Sequence, residues 1–499
     1  MRMTVLFAAV LVAVQQFEHT ALAFSLLFFM FTVLSAAAFN LSGGMNRPTG
    51  SYVLAFSLLT VIVAVVMKAV LGEPADSNME APLLTMTVYT FGMAIMLCAI
   101  LLKNRLVGFP RGLGLVLGDA KVNLTFSAIG CLLVGAAIVL LGYVFPSGSG
   151  TVLSALNQIN ILLPLGLILN TVDVVQKSDG RRSLNALSLT VSLVLVGFGM
   201  TGFSKQGIFT PIVAWVIGSL YGGLRWRWTH ALTLGAILVA AGLVFVPIAN
   251  FGRSLAVGMN LTQRAQLVIL LAENSAAVRA QNAEALAFTD ANASRHGYFN
   301  KSLGLGDRAA MFQVDSGLIN YVDTHGPVGF APLQSYLENI LPHFIDPNKD
   351  APGKLTYGGN YYAHMIGGYL APDDFTTGIS FGFLGESFAM GEWTGIFLLA
   401  PILWFLLFCE VELIAGDLRT SPWGLLPLLL FLHVAPESLV NGIINFMWTG
   451  CIGLTMGIWF CVVIAPVLGS VFGTSLVRRR VVRQLGETTL ARPRAASTA

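Results

Sequence analysis

The sequence predicts an all-α integral membrane protein of about 12 membrane-crossing helices, with one large, partly helical polar segment between the ninth and tenth. Three observations predict it. The chain is 55% hydrophobic and only 11% charged, whereas a soluble protein carries about 25% charged residues. Apolar stretches recur at close to the length of about 20 residues that a helix needs to cross a bilayer. Lys and Arg fall in alternate gaps between these stretches, which can be read as a topology.

The stretches run over residues 3–14, 21–41, 51–71, 82–102, 122–145, 152–175, 184–203, 208–224, 231–249, 394–413, 424–441 and 449–473. The first is short. With Ala21-Leu22-Ala23 after it, it resembles a signal peptide, but polar Gln15 to Thr20 intervenes and a long apolar run follows at once. The expectation is two spans joined by a short turn. Arg2, Arg47, the Lys103/Arg105/Arg111/Lys121 group, Lys177/Arg181/Arg182, Arg225/Arg227, Arg419 and the tail from Arg478 fall on one side. The other gaps hold Glu18, then Glu73, Asp76 and Glu80, then the uncharged 146–151, then only Lys205. The positive-inside rule puts both termini in the cytoplasm and the long polar segment outside. The chain thus divides into residues 1–249 (spans one to nine), 250–390 (the outer segment), 391–475 (the last three spans) and 476–499, a basic cytoplasmic tail.

Within the outer segment, the Ala-rich run 260–288 reads as a helix starting at Asn260 or Thr262. A second helix is expected over 307–322, stopped by Gly326 and Pro327, and a third over 332–341, stopped by Pro342. From His343 to Thr377 the abundance of Pro, Gly, Asp, Asn and Tyr reads as ordered loop. No inverted repeat points to a transporter. The net charge of +3 reflects C-terminal arginines, which argues against a nucleic-acid partner. Cys98, Cys131, Cys409, Cys451 and Cys461 all lie in or beside apolar stretches and read as packing residues.

Lys205, in Gly202-Phe203-Ser204-Lys205-Gln206-Gly207, is the odd cation of the outer face. A lysine at the mouth of a helical bundle can hold a phosphate, or simply snorkel to the interface. Arg308, after Gly304-Leu305-Gly306-Asp307, opens the second expected helix, where free backbone N–H groups beside a guanidinium suit an anion such as pyrophosphate. It could equally pair with Asp307 or Asp315. Arg253 and Arg264, just past the ninth span, could serve as Arg308 does. His433, Glu437 and Asn441 are spaced four apart and would share one helical face of the eleventh span. A carboxylate within the bilayer is costly and marks a functional site or a polar stripe between helices. Tyr357, Tyr361, Tyr362 and His364 combine sugar-stacking rings with a possible base, and Glu386 is a further candidate base at the membrane face. Asp373-Asp374 has no partner at ligand spacing, so no metal is expected.

The stretch 306–395 resembles the bacterial Wzy-type O-antigen (oligosaccharide repeat-unit) polymerase family. The residues concerned are Gly306-Asp307-Arg308, then Leu341-Pro342-His343-Phe344-Ile345-Asp346-Pro347 with Lys349, Thr377-Gly378-Ile379-Ser380, and Gly385-Glu386-Ser387-Phe388 with Gly391 and Gly395. Ser204-Lys205-Gln206-Gly207 is similar to the family's short basic turn between two spans. The large outer loop between the ninth and tenth spans extends the likeness to the related O-antigen ligases. His343 stands where many members carry Arg, and Phe312 where a ligase-like pattern has Leu. What the resemblance implies is a GT-C-like glycosyltransferase of the bacterial inner membrane, working without cofactor or metal on polyprenyl-pyrophosphate-linked oligosaccharides. A flippase and a chain-length regulator would be its protein partners. Arg308 and Lys205, backed by Arg253 and Arg264, would stabilise the departing pyrophosphate. Glu437, Glu386 or His364 would take the acceptor's proton. Rival expectations are an O-antigen ligase, a lipid-linked glycan transporter using His433 and Glu437 as a proton relay, and a glycan-binding export partner.

Overall fold

The computed structural model describes residues 1–117, 123–144, 160–256, 258–281, 297–300, 310–340, 357–367, 369–370 and 379–471. These residues form helices and connecting turns, with no strand among them. Among the described residues, besides the short helix Leu113–Leu117, nine helices of more than ten residues precede the polar segment. They are α1 (Arg2–Phe17), α2 (Leu22–Leu41), α3 (Pro48–Leu71), α4 (Pro82–Leu106), α5 (Leu124–Val144), α6 (Leu162–Lys177), α7 (Ala186–Thr201), α8 (Lys205–Gly222) and α9 (Trp228–Arg253). The polar segment contributes α10 (Leu261–Glu273), α11 (Met311–His325), α12 (Ala331–Asn339), α13 (Gly359–Ile366) and α14 (Phe383–Gly391). Then follow α15 (Gly395–Ala415), α16 (Leu426–Glu437) and α17 (Val440–Val471). Among the described residues seven helices (α2, α3, α4, α5, α9, α15 and α17) are long and apolar enough to cross a membrane, as in a multi-pass membrane protein.

Local chemistry sets many of the ends. Pro48 and Pro82 occupy first-turn positions, where the missing N–H costs nothing. Asn185 and Asn260 cap α7 and α10 reciprocally with Ser188 and Gln263. Gly72 and Gly223 close α3 and α8 at φ 70° and 83°, a left-handed conformation open to glycine.

Small residues bring the helices together. A Cβ built on Gly199 of α7 would stand 2.6 Å from the carbonyl carbon of Gly207 in α8, and one on Gly130 of α5 would stand 2.3 Å from the carbonyl oxygen of Ala465 in α17. Cys131 and Cys461 meet at that second crossing, Sγ to Sγ 3.0 Å. A ring cluster of Tyr52, Phe56, Tyr89, Trp404 and Phe431 ties α3, α4, α15 and α16 together, and Trp404 Nε1 donates to Tyr52 Oη at 3.2 Å.

Buried ion pairs mark the two ends of the bundle. At one, Glu412 lies 3.5 Å from Arg47 and 3.7 Å from Lys103. At the other, Lys68 lies 3.1 Å from Glu73 with its ammonium 4.5 Å from the ring centre of Tyr298. The hydroxyl of Tyr221, near the end of α8, donates to the Met45 carbonyl beside Arg47. The start of α8, with Lys205, is therefore at the Lys68 end.

The structure departs from expectation in three places, two of them in the polar segment. The helix expected over 307–322 is described as Met311–His325, ending at Gly326. Part of the expected loop 343–377 is the helix α13, held by burial of Tyr362 and Ala363 against the core, a tertiary reward that outweighs its weak local propensity. The stripe His433, Glu437 and Asn441 is broken. Pro436 cannot donate to the preceding turn, α16 stops at Glu437, Ser438 is extended, and Asn441 belongs to α17. The last helix thus starts at Val440, ahead of the expected 449.

Candidate functional site

Two adjoining centres lie at the Lys68 end. The first is a groove of about 360 Å³ between the starts of α6 and α8 and the length of α16. Ile161, Phe209, Val213, Leu426 and Leu430 make most of its wall apolar, while Asn160, Lys205, Gln206 and His433 supply its polar groups. Lys205 is the first residue of α8, capped by the Ser204 hydroxyl, which accepts from the Gly207 N–H at 3.1 Å. A helix N-terminus presents unpaired N–H groups and the positive end of the helix dipole, so cation and dipole act in the same sense on an anion. The turn is a fixed platform. Phe203 holds φ 49° because its ring is buried against α9 and α10, and Arg253 Nη2 donates to its carbonyl oxygen at 3.3 Å.

On the α16 wall, His433 Nδ1 and Glu437 Oε2 stand 3.5 Å apart, one helical turn from each other. His433 is half exposed, while the Glu437 side chain is only 10% exposed. Ser380 Oγ donates to the same Glu437 oxygen at 3.5 Å.

The second centre is sealed from solvent. Glu386 accepts from the Tyr336 hydroxyl and from the Val440 N–H, each at 2.5 Å. The Tyr362 phenol, also buried, faces this carboxylate without reaching hydrogen-bonding geometry. Burial pushes the Glu386 carboxyl up to about 7, against the downward pull of Tyr336, Tyr362 and the Val440 N–H. Beside it, α14 has no side-chain cap of its own, and Asp315 of α11 supplies one from afar. Its carboxylate accepts from the Gly382 N–H at 2.7 Å, the Gly385 N–H at 3.1 Å and the Tyr89 hydroxyl at 2.7 Å. Burial raises Asp315 to about 6, again against those three donors. The two glycines let the carboxylate approach, since a Cβ on Gly385 would stand 2.3 Å from Asp315 Cγ. The centres are joined by Ser438 and Leu439, which separate Glu437, behind His433 of the groove wall, from Val440 on Glu386.

The structure therefore brings Lys205 and Arg253 to one turn, with His433 on the groove opposite and Glu437 behind it. Arg264 lies farther back, its Nε donating to the Met259 carbonyl at 3.0 Å. Tyr361, Tyr362 and His364 share α13; Tyr361 packs edge-on to Tyr357 and Tyr362 with ring centres 5.0 and 5.3 Å away. Arg308, His343, Asp346, Lys349 and Asp373-Asp374 lie outside the described residues. Among the described residues no group of three or more His, Cys, Asp or Glu side chains is arranged to hold a metal ion. Sequence reasoning missed Asp315, which it considered only as a partner for Arg308, and it missed Tyr336 altogether. The available signal was the start of α14 at Gly382-Phe383-Leu384-Gly385, a helix N-terminus without a capping side chain.

No family model, no characterised protein and no solved structure matches this chain.

Proposed function

We propose that the chain is a membrane glycosyltransferase that polymerises polyprenyl-pyrophosphate-linked oligosaccharide repeat units, with the Lys68 end of the bundle at the periplasmic face and both termini in the cytoplasm of an inner-membrane protein. The observation that carries the reading is the groove, an apolar trough at the bundle end with a cationic helix N-terminus on one wall and, on the other, His433 backed by the Glu437 carboxylate 3.5 Å behind it. An isoprenoid chain suits the trough, and a pyrophosphate suits the start of α8.

In this reading the anomeric carbon of the donor glycan loses its bond to the pyrophosphate oxygen as the acceptor hydroxyl oxygen bonds to it. Lys205 and the α8 N–H groups stabilise the negative charge that develops on the leaving pyrophosphate. Arg253 holds the turn that aims them. Arg308 is the further cation that the family resemblance assigns to this anion. Glu437 accepts the acceptor's proton, with His433 and Ser380 orienting its carboxylate. Glu386 is less suited to that role, because it is sealed from substrate and already engaged by two donors. It fixes Val440, and through Ser438 the position of Glu437.

The test is a gel ladder from purified protein in lipid nanodiscs supplied with a lipid-linked oligosaccharide. Lys205→Ala, Arg308→Ala and Glu437→Gln are each expected to collapse the ladder while the protein stays folded. A ladder that survives Lys205→Ala and Glu437→Gln would remove the groove from the chemistry. No ladder from the wild type, with transfer to a lipid A acceptor, would give the ligase reading. Movement of the lipid-linked glycan across the bilayer without transfer would give the transporter reading.

A further inference from the structure

The helix α12 carries three distinct stripes. Pro332 and Tyr336 are buried, with Tyr336 bonded to Glu386. Gln334 and Glu338, joined by a hydrogen bond of 3.0 Å, make a solvated polar stripe. Phe330, Leu333 and Leu337 fall within a third arc of the helix surface at 100° per residue. Of these, Phe330 is 44% and Leu337 is 53% exposed. Large apolar side chains in such a line are costly in water and mark a contact surface.

The neighbourhood identifies what that surface meets. The Val328 N–H donates to the Ala389 carbonyl at 2.8 Å, and the Phe330 ring lies over Gly391, where an added Cβ would stand 2.8 Å from its Cζ. Gly391 is the last residue of α14, just before the membrane-crossing helix α15 begins at Gly395. Between them Trp393 stacks on Phe397 at 5.7 Å and meets Phe91 of α4 edge-on at 5.8 Å. Phe91 and Phe397 are 45% and 47% exposed on the outside of the bundle. A tryptophan at the start of a span, beside outward-facing phenylalanines, marks the headgroup level of a bilayer. Through Phe330 over Gly391, the apolar stripe of α12 lies next to that outward-facing surface.

We propose that α12 lies flat in the membrane interface with Phe330, Leu333 and Leu337 in the boundary between lipid headgroups and acyl chains, while Gln334 and Glu338 face water. The lipid is the bulk leaflet. A short amphipathic helix of this pattern partitions there by burying its apolar side. The seating also holds Tyr336 against Glu386, so membrane contact supports the buried centre. The inference rests on the multi-pass membrane reading and is independent of the glycosyl-transfer chemistry.

The experiment is photo-crosslinking of the full-length protein in nanodiscs of phosphatidylethanolamine and phosphatidylglycerol. The photoreactive residue p-benzoyl-phenylalanine is placed singly at Leu337, Phe330, Gln334, Glu338 and, as a lipid-exposed reference, Phe397. Products are read by mass spectrometry. Lipid adducts at Leu337 and Phe330 comparable with those at Phe397, and several-fold fewer at Gln334 and Glu338, are expected. The aromatic-for-aromatic replacement at Phe330 keeps the test available if the Leu337 replacement does not fold. Cross-linked dimers at Leu337 would overturn the proposal in favour of a second copy. Absence of lipid adducts at both positions while Phe397 labels well would overturn it outright.

Discussion

Replacement of Glu386 by Gln isolates the energetic cost of a sealed carboxyl. The side chain is fully buried, and its pKa rises from 4.5 to about 7. Between those values the unfolded chain has released the proton that the native protein still holds, so raising the pH favours unfolding. The contribution is absent below 4.5, grows through the window, and is constant above about 7. At about 1.4 kcal/mol for each pH unit of displacement, it reaches about 3 kcal/mol of lost stability. Glu386→Gln cannot ionise; its single amide oxygen accepts from the Val440 N–H, and its NH2 donates to the Tyr336 hydroxyl oxygen, which can accept as well as donate. The assay is equilibrium unfolding in mixed micelles titrated with sodium dodecyl sulfate, repeated from pH 4.5 to pH 8. The wild type is expected to weaken as pH rises. Glu386→Gln should lose about 3 kcal/mol of that dependence and keep the part from Asp315, raised from 3.8 to about 6. An unchanged pH slope in Glu386→Gln would refute the reasoning.

Other expectations follow from the same geometry. Gly385→Ala should cost about 1–3 kcal/mol or more in the same unfolding assay, because the new Cβ would stand 2.3 Å from Asp315 Cγ. Gly197→Ala, inside α7 where a Cβ meets nothing within 4 Å, is the clash-free control and should be stabilising by up to about 1 kcal/mol. Glu73→Gln should destabilise by about 3–5 kcal/mol, since it leaves the Lys68 ammonium buried without its counter-charge. Lys68→Met with Glu73→Leu should recover most of that loss. Lys205→Gln should weaken binding of a polyprenyl pyrophosphate by about 1.5–3 kcal/mol, tenfold or more in affinity. Equilibrium binding in nanodiscs measures it, and unchanged affinity would move the anion away from α8.

Much of this was legible in the chain because hydropathy and caps are local. Among the described residues each expected span overlaps a helix, seven of them long and apolar enough to cross a membrane; Asn260 caps α10 as anticipated, and Gly326 closes α11. The alternation of charge separated Arg47 and Lys103 from Lys205, and the fold sets them at opposite ends of the bundle. Local pattern misled at Glu437. Its spacing with His433 and Asn441 continues a helix on paper, but Pro436 ends it within a turn, and only the His433–Glu437 half of the stripe survives.

By itself the sequence determined which segments are apolar helices and which polar residues stand at their ends, since each depends on a few neighbouring residues and the surrounding solvent. Only the tertiary structure decided which of those residues meet. Asp315 caps a helix 67 residues away, Glu386 takes its donors from 50 and 54 residues away, and Arg253 holds a carbonyl 50 residues behind it. No periodicity encodes such pairings. They follow from helix crossings permitted at particular glycines, and from the requirement that a carboxylate removed from water find its hydrogen-bond donors wherever the packed chain supplies them.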